Sequence, residues 1–258
     1  MIGAFIKTVS LATGTYRMAR LAQRHLIDRR RGAVFQTEVA LYRSLIPTGA
    51  LCFDVGANIG ARTEPLLQAG ARVVAFEPQA VCARELTARC KPYSQLQLVP
   101  AALGEAPSIA TLFMRSSHGQ SGLVETWEGT TVAAIDVPVL TLDLAIARYG
   151  TPYYCKIDVE GYELQVLSGL TQTIPMVSIE YHLTAEDIAK TQHCVERLRL
   201  LGLRYTNVCP AEVPKLALPA WRPIEEFDTW FPAALEGKSG YRYGDLMFAT
   251  HEPPHRGI

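Results

Sequence analysis

Phe53-Asp54-Val55-Gly56-Ala57-Asn58-Ile59-Gly60 stands between an apolar run, Ala50 to Val55, and a helical pattern, Arg62 to Ala69. Gly56 and Gly60 permit a tight turn and a close approach of backbone to ligand that a Cβ would block. The helix that follows offers free N–H groups at its start. Seventeen residues beyond Gly60, directly after the apolar run Val73 to Phe76, comes Glu77, followed by Pro78. An acidic residue at the end of a second strand is placed to accept hydrogen bonds from both hydroxyls of a ribose. The stretch therefore predicts a nucleoside site on an open α/β sheet.

Outward from this stretch, the same rhythm runs along the chain. Arg72 to Phe76 and Leu96 to Val99 read as strands, with a helix from Gln79 to about Cys90 between them. Further on, Ala133 to Val139, Tyr153 to Val159, Met176 to Tyr181, Tyr205 to Val208 and Asp245 to Thr250 read as strands. Leu140 to Tyr149, the short Leu164-Leu167-Leu170 pattern and Asp187 to Leu201 read as helices. Short apolar strands alternating with helices predict a doubly wound, Rossmann-like, mostly parallel sheet covered on both faces. Two segments break the rhythm: Ser116 to Thr131, a surface loop or a lid over a nearby pocket, and the proline-rich Pro210 to Pro232. Trp127, Trp221, Trp230 and Tyr241 in and after them are candidate stacking surfaces for a sugar or an aromatic ring, with ordinary packing as the alternative. A second helical pattern, Phe35 to Leu45, ends at Pro47 and Gly49. Residues 1–34 read as an N-terminal helical extension and 35–258 as one domain.

Composition narrows the field. The chain has 258 residues, 25 Lys+Arg against 25 Asp+Glu, 48% hydrophobic and 19% charged residues, which describes a globular protein with a sizeable core. A net charge of zero argues against broad nucleic-acid binding, which needs many cations facing phosphates. The basic N-terminal segment, with Arg17, Arg20, Arg24 and Arg29 to Arg31, reads as a solvated helix face or as a surface for peripheral contact with anionic lipid. No stretch approaches the ~18 apolar residues of a membrane span, and Lys7 with no small-residue cleavage site behind it does not read as a signal peptide. Cys52, Cys82, Cys90, Cys155, Cys194 and Cys209 form no C-x-x-C pair and no zinc spacing, so they read as reduced thiols of a cytoplasmic protein.

The turn is not a dinucleotide fingerprint, because G-x-G-x-x-G is absent. Asp54 at its entrance suits a ligand carrying an ammonium or a sulfonium better than one carrying two phosphates. S-adenosylmethionine has both cations and a ribose. Later, Lys156-Ile157-Asp158-Val159-Glu160-Gly161-Tyr162-Glu163 ends a strand, Val166-Leu167-Ser168-Gly169 follows, and Val177-Ser178-Ile179-Glu180 ends another strand. Together with the turn, the Phe76-Glu77-Pro78 context and Leu140-Thr141-Leu142-Asp143, these motifs resemble, in order, those of the FkbM family of class I S-adenosylmethionine-dependent methyltransferases. The resemblance runs from about Phe35 to Ala249. It implies a seven-stranded sheet with a reversed final hairpin, S-adenosylmethionine as cofactor with S-adenosylhomocysteine as product, and O-methyl transfer to a hydroxyl of a natural product, glycan or glycolipid. Residue by residue, it implies that Asp54, Gly56, Ala57, Asn58 and Gly60 form the cofactor turn, that Glu77 with Pro78 meets the ribose, and that Asp158 lies beside the reacting methyl.

A physical reading reaches the same rim. Asp54, Glu77, Asp158, Glu160, Glu180 and His182 all fall at or just past the carboxyl ends of predicted strands, where open parallel sheets bind ligands. An alcohol is a poor nucleophile until its proton begins to leave, so His182 or Asp158 is expected as base, with Glu160 and Glu180 holding the acceptor. Lys156 is expected to pair with one of these carboxylates. Asp158, Glu160 and Glu180 also offer hard oxygen ligands for Mg²⁺, an alternative that their spacing does not select. The rival readings are a nucleotide-dependent oxidoreductase, which should show the missing glycine pattern, and a non-catalytic nucleoside-binding scaffold, which should have lost these acids.

Overall fold

The computed structural model describes residues 32–115, 121–124, 130–211, 214–237 and 242–253. Its centre is β1 (Leu51–Val55), every residue of which is buried, with β2 (Arg72–Phe76) parallel on one side. Such continuous apolar runs are what a strand needs when both of its faces are covered. Phe53 and Val55 point into one core with Val74, Phe76 and Ile157, whereas Cys52, Val73 and Ala75 point into the other. The period of two in the pleat therefore divides each strand between two helical layers. Against one face lie α1 (32–45), α2 (Thr63–Gln68) and α3 (Ala80–Arg89), through Leu41, Tyr42, Leu66 and Leu86. Against the other lie α4 (Leu142–Tyr149), α5 (Glu163–Ser168) and α6 (Ala185–Leu200), through Leu142, Ile146, Leu167 and Leu198.

β3 (Leu96–Val99) extends the sheet beyond β2, and β7 (Tyr154–Ile157) and β8 (Met176–His182) extend it on the other side of β1, all in parallel. β11 (Tyr243–Ala249) is inserted antiparallel between β8 and β9 (Tyr205–Pro210). The two-residue β10 (Arg222–Pro223) completes the eight-stranded order β10-β9-β11-β8-β7-β1-β2-β3. Leaving out that short edge strand gives the expected mostly parallel sheet with one reversed strand. The chain reverses between β3 and β7, so the carboxyl ends of β1, β2, β7 and β8 meet at a topological switch point.

A second, three-stranded sheet was not legible as such. β4 (Ala102–Leu103), β5 (Ser108–Arg115) and β6 (Thr131–Leu140) pair in the order β4-β6-β5. β6 covers the expected strand at Ala133 to Val139, but β5 had no sequence counterpart: it buries Leu112 while Ile109 faces water. Residues 121–124 run along β5, with Phe113 and Gly122 exchanging N–H···O bonds of 2.9 and 3.3 Å. Residues 116–120 and 125–129, Trp127 among them, lie outside the described residues, as do Tyr241 and residues 1–31 with their arginines.

Small motifs in the chain prove to be joinery. Thr141 accepts the Leu144 N–H and caps α4, while Asp143 takes both the N–H and the hydroxyl of Thr171. A Cβ at Gly169 would stand 2.2 Å from the Gly104 carbonyl oxygen, so only glycine lets the end of α5 approach the turn after β4. The helix at 32–45 spans the boundary expected at residue 34 and anchors itself through Leu41, Tyr42, Leu45 and Ile46. Trp221 and Trp230 are buried, the latter edge-on to Phe227 and Phe231, so they pack the core and offer no stacking surface. All six cysteines are free and buried, with burial pushing the thiols of Cys52, Cys194 and Cys209 up to about 12. Among the described residues, no helix is long and apolar enough to cross a membrane.

Candidate active site

A cavity of about 370 Å³ opens where β1, β2, β7 and β8 end. Its floor is the turn after β1. Gly56 has φ +81° and Asn58 φ +48°, both left-handed, and a Cβ on Gly56 would stand 1.8 Å from the carbonyl oxygen of Asp158. The turn thus lies directly against the end of β7, a contact that no other residue type at 56 permits. Four of its backbone donors are already committed. The N–H groups of Gly56 and Ala57 both donate to the Phe76 carbonyl at 3.1 Å, Gly60 N–H donates to Ala57, and Asn58 N–H donates to Glu77. This turn does not offer these four amides to a pyrophosphate, which removes the physical basis of the oxidoreductase alternative.

Glu77 is the best-held acid of the site. Its two carboxylate oxygens accept the N–H groups of Asn58 at 2.8 Å and Gln79 at 2.7 Å, and it is buried. Burial pushes its carboxyl up to about 7, against the pull of those two hydrogen bonds. Beside it, Asn58 Oδ1 and Gln79 Oε1 are buried polar atoms without a hydrogen-bond partner among the described residues, and both residues line the cavity. Buried polar atoms are nearly always satisfied, so these two mark where a ligand's donors belong. Asp54, also buried, accepts the Thr63 hydroxyl at 2.6 Å. Burial raises it to about 6, with Lys156 pulling the other way.

At the far end, Asp158, Glu160 and Glu180 bring carboxylate oxygens within 4.8 Å of one another. β7 ends at Ile157, so Asp158 and Glu160 do not share a strand face as expected from their spacing. A loop brings them together instead: Glu160 has φ +55° and Gly161 φ +89°, and Glu163 Oε1 accepts the N–H groups of Val159 and Gly161, each at 3.2 Å. The Lys156 ammonium, fully buried, donates to Asp158 at 2.7 Å and lies 3.5 Å from Asp245 on β11. Burial alone would raise Asp158, but the charge and hydrogen bond of Lys156, with Arg62 further away, hold it below the ordinary carboxylate range. Glu180 is pushed up to about 7 by burial and by the charge of Asp158. One carboxylate is thus kept ionised and its neighbour is poised near neutrality.

The structure brings together Asp54, Gly56, Ala57, Asn58, Glu77, Pro78, Asp158, Glu160 and Glu180 around the cavity. It does not bring Gly60 and His182 to it. Gly60 turns away, toward the side chain of Leu86. His182 lies in a small neighbouring cleft with Asp187 and Lys190, its Nε2 3.4 Å from Glu180 and its ring stacked on Tyr243. The approach to Glu180 raises it to about 9, and it stands behind Glu180 rather than facing the cavity. Sequence reasoning missed Arg62 and Gln79 on the floor, Ala101 to Leu103 after β3, and the wall of Leu112, Ser121 and Leu123. Only Gln79, two positions beyond Glu77, had a signal to follow.

The strand order and the position of the cavity define a class I methyltransferase fold. A family model described as the methyltransferase FkbM domain matches residues 54–205, more than half of the chain. The chain belongs to the FkbM family and is an S-adenosylmethionine-dependent methyltransferase. Solved structures with a similar course include a TehB-like S-adenosylmethionine-dependent methyltransferase from Corynebacterium glutamicum, at 11% identity over 83% of this chain and 88% of that one, TM-score 0.45. Fibrillarin from Aeropyrum pernix with natively bound S-adenosylmethionine matches at 10% identity over 82% and 73%, TM-score 0.45. Magnesium protoporphyrin IX methyltransferase from Synechocystis with S-adenosylmethionine bound matches at 11% over 86% and 79%, TM-score 0.42. No curated protein matches the chain.

Proposed function

We propose that this protein transfers a methyl group to a hydroxyl of a small-molecule natural product, glycan or glycolipid, in the cytoplasm. The observation that carries this reading is the pair Asp158 and Glu180 side by side on the cavity rim, Asp158 bonded by the Lys156 ammonium at 2.7 Å and Glu180 raised by burial and by the charge of Asp158. S-adenosylmethionine supplies the methyl group on a sulfonium. Glu77, its oxygens aimed by two backbone N–H groups, takes the ribose hydroxyls, with Asn58 and Gln79 satisfying polar groups beside it. The polar atoms left over on Asn58 and Gln79, and an acid at the end of β2, fit a nucleoside. Asp158 and Glu180 receive the proton of the acceptor hydroxyl, Glu160 orients it, and His182 sets the charge on Glu180 from behind. Alignment of the two reactants on this rigid floor contributes the larger share, ~7–11 kcal/mol of barrier. A base in reach adds ~10²–10⁴-fold.

Incubation with methyl-labelled S-adenosylmethionine and matched panels of hydroxylated and amine-bearing glycans and polyketides tests the reaction. Label should appear as methyl ether, and Glu180→Gln should lower turnover by about 10²-fold or more without changing affinity for S-adenosylhomocysteine. Label on amines or nucleic acid alone would refute the assignment. A second reading rests on the three carboxylates whose oxygens lie within 4.8 Å of one another, a spacing that could accept Mg²⁺. It predicts turnover abolished by chelation and restored by Mg²⁺, whereas the base reading predicts turnover unchanged by chelation.

A further inference from the structure

The cavity has an unbalanced charge. Asp54, Glu77, Asp158, Glu160 and Glu180 line it against two cations among the described residues, Lys156 and Arg62. A methyl donor ending in an amino acid brings an ammonium, which such a site welcomes, and a carboxylate, which it repels. Something must receive that carboxylate. Lys156 is committed, buried between Asp158 and Asp245. The amides of Gly56, Ala57, Asn58 and Gly60 are committed within the protein.

Arg62 remains. It closes the turn and precedes α2, and it lines both the cavity and a second cleft behind it, where Glu38, Tyr154 and Asp245 lie. One edge of its guanidinium, through Nη1, is ion-paired with Glu38 of α1. A guanidinium carries five N–H donors in a planar fork whose geometry matches a carboxylate. Among the described residues the guanidinium has no hydrogen bond or ion pair other than the one with Glu38. Glu38 is itself buried, on a helix fixed by Leu41, Tyr42 and Leu45, so it holds its end of the pair in place.

We propose that Arg62 receives the carboxylate of the methyl donor, and that Glu38, reaching across from α1, holds the guanidinium in position to do so. This rests on the donor reading above and adds to it. It makes α1, which lies outside the segment matched by the family model, part of the donor site. Glu38 is a positioning residue; Arg62 touches the ligand. The competing role for the pair is a staple that fixes α1 to the sheet, and ligand selectivity separates the two.

The test is calorimetric titration of S-adenosylhomocysteine and of its decarboxylated analogue, which keeps the ammonium and differs by the carboxylate alone. The unaltered protein should prefer the complete ligand. Arg62→Ala should weaken S-adenosylhomocysteine roughly tenfold or more and leave the analogue unchanged, so that the preference disappears. Arg62→Lys should retain part of the preference, and Glu38→Gln should reduce it while sparing the analogue. Loss of affinity for both ligands alike, or for neither, would make the pair a staple and overturn the proposal. Should Arg62→Ala not fold, the same ratio measured on Arg62→Lys and Glu38→Gln decides. An unaltered protein that binds no S-adenosylhomocysteine removes the donor reading itself, a failure visible before any variant is made.

Discussion

Lys156 shows how one residue can serve the site through the carboxylates it holds. Its ammonium is taken wholly out of water, which is costly, and two carboxylates, one just past the end of β7 and one on β11, offset that cost. The pair is directional: Asp158 belongs to the cavity, Asp245 to the reversed strand behind it. Replacing Lys156 by Met should destabilise the fold by about 3–5 kcal/mol, because two partly buried acids lose their cation. Urea denaturation monitored by circular dichroism measures the loss. Adding Asp245→Asn should restore part of it, whereas strictly additive losses would show that the three groups do not act together. The sequence reading anticipated that Lys156 pairs with a carboxylate, since a lysine inside an apolar strand has few other options. It could not anticipate Asp245, which lies far along the chain and is brought opposite Glu180 by strand pairing alone.

At the level of elements, the short stretch from Asp158 to Glu163 does what a longer loop usually does. Glu163 opens α5 and reaches back to two N–H groups of the preceding loop, so that Glu160 is held in a left-handed conformation unusual for a residue with a Cβ. Gln at position 163 retains an oxygen acceptor and should behave much as the native residue. Leu should cost about 1–3 kcal/mol through two unsatisfied amides and slow methyl transfer by releasing Glu160. Chemical denaturation and turnover of the two variants, side by side, check this; equal behaviour of Gln and Leu would show that the loop holds itself. The motif that carries Glu163 was readable as a motif, but its strand was expected to run two residues too far, because Val159 is as good a strand residue as Ile157. β5 escaped for a related reason: it buries few residues, so its pattern lacks the strong apolar run that marks the central strands. The two tryptophans misled in the opposite sense, since an aromatic in a proline-rich connection looks the same whether it lines a pocket or fills a core.

For the molecule as a whole, the acids at one rim couple stability to pH. Asp54 at about 6, Glu77 at about 7 and Glu180 at about 7 all lie above their values in an unfolded chain. Each favours the folded state in full below about pH 4 and loses that contribution as the pH rises through its folded value. His182, raised to about 9 beside Glu180, Glu160 and Asp187, favours folding below about pH 6.5 and loses that contribution toward alkaline pH. Asp158, lowered, acts the other way and withdraws its contribution on acidification. The thermal midpoint should therefore fall from about pH 5 to about pH 9, a trend followed by differential scanning calorimetry. Glu180→Gln should flatten it, and a midpoint that rises over this interval would contradict the assignment.

Floor and wall of the cavity belong to different sheets. The floor is built on the eight-stranded sheet, where Gly56 meets the Asp158 backbone with no side chain between them, whereas Leu112, Ser121 and Leu123 come from β5 and the segment beside it. On the reading proposed above, grafting a different hairpin between Leu103 and Thr141 should reshape the space offered to an acceptor while keeping Asp54, Glu77, Asp158 and Glu180 on the larger sheet, so that one base plate serves new substrates through the sheet laid over it.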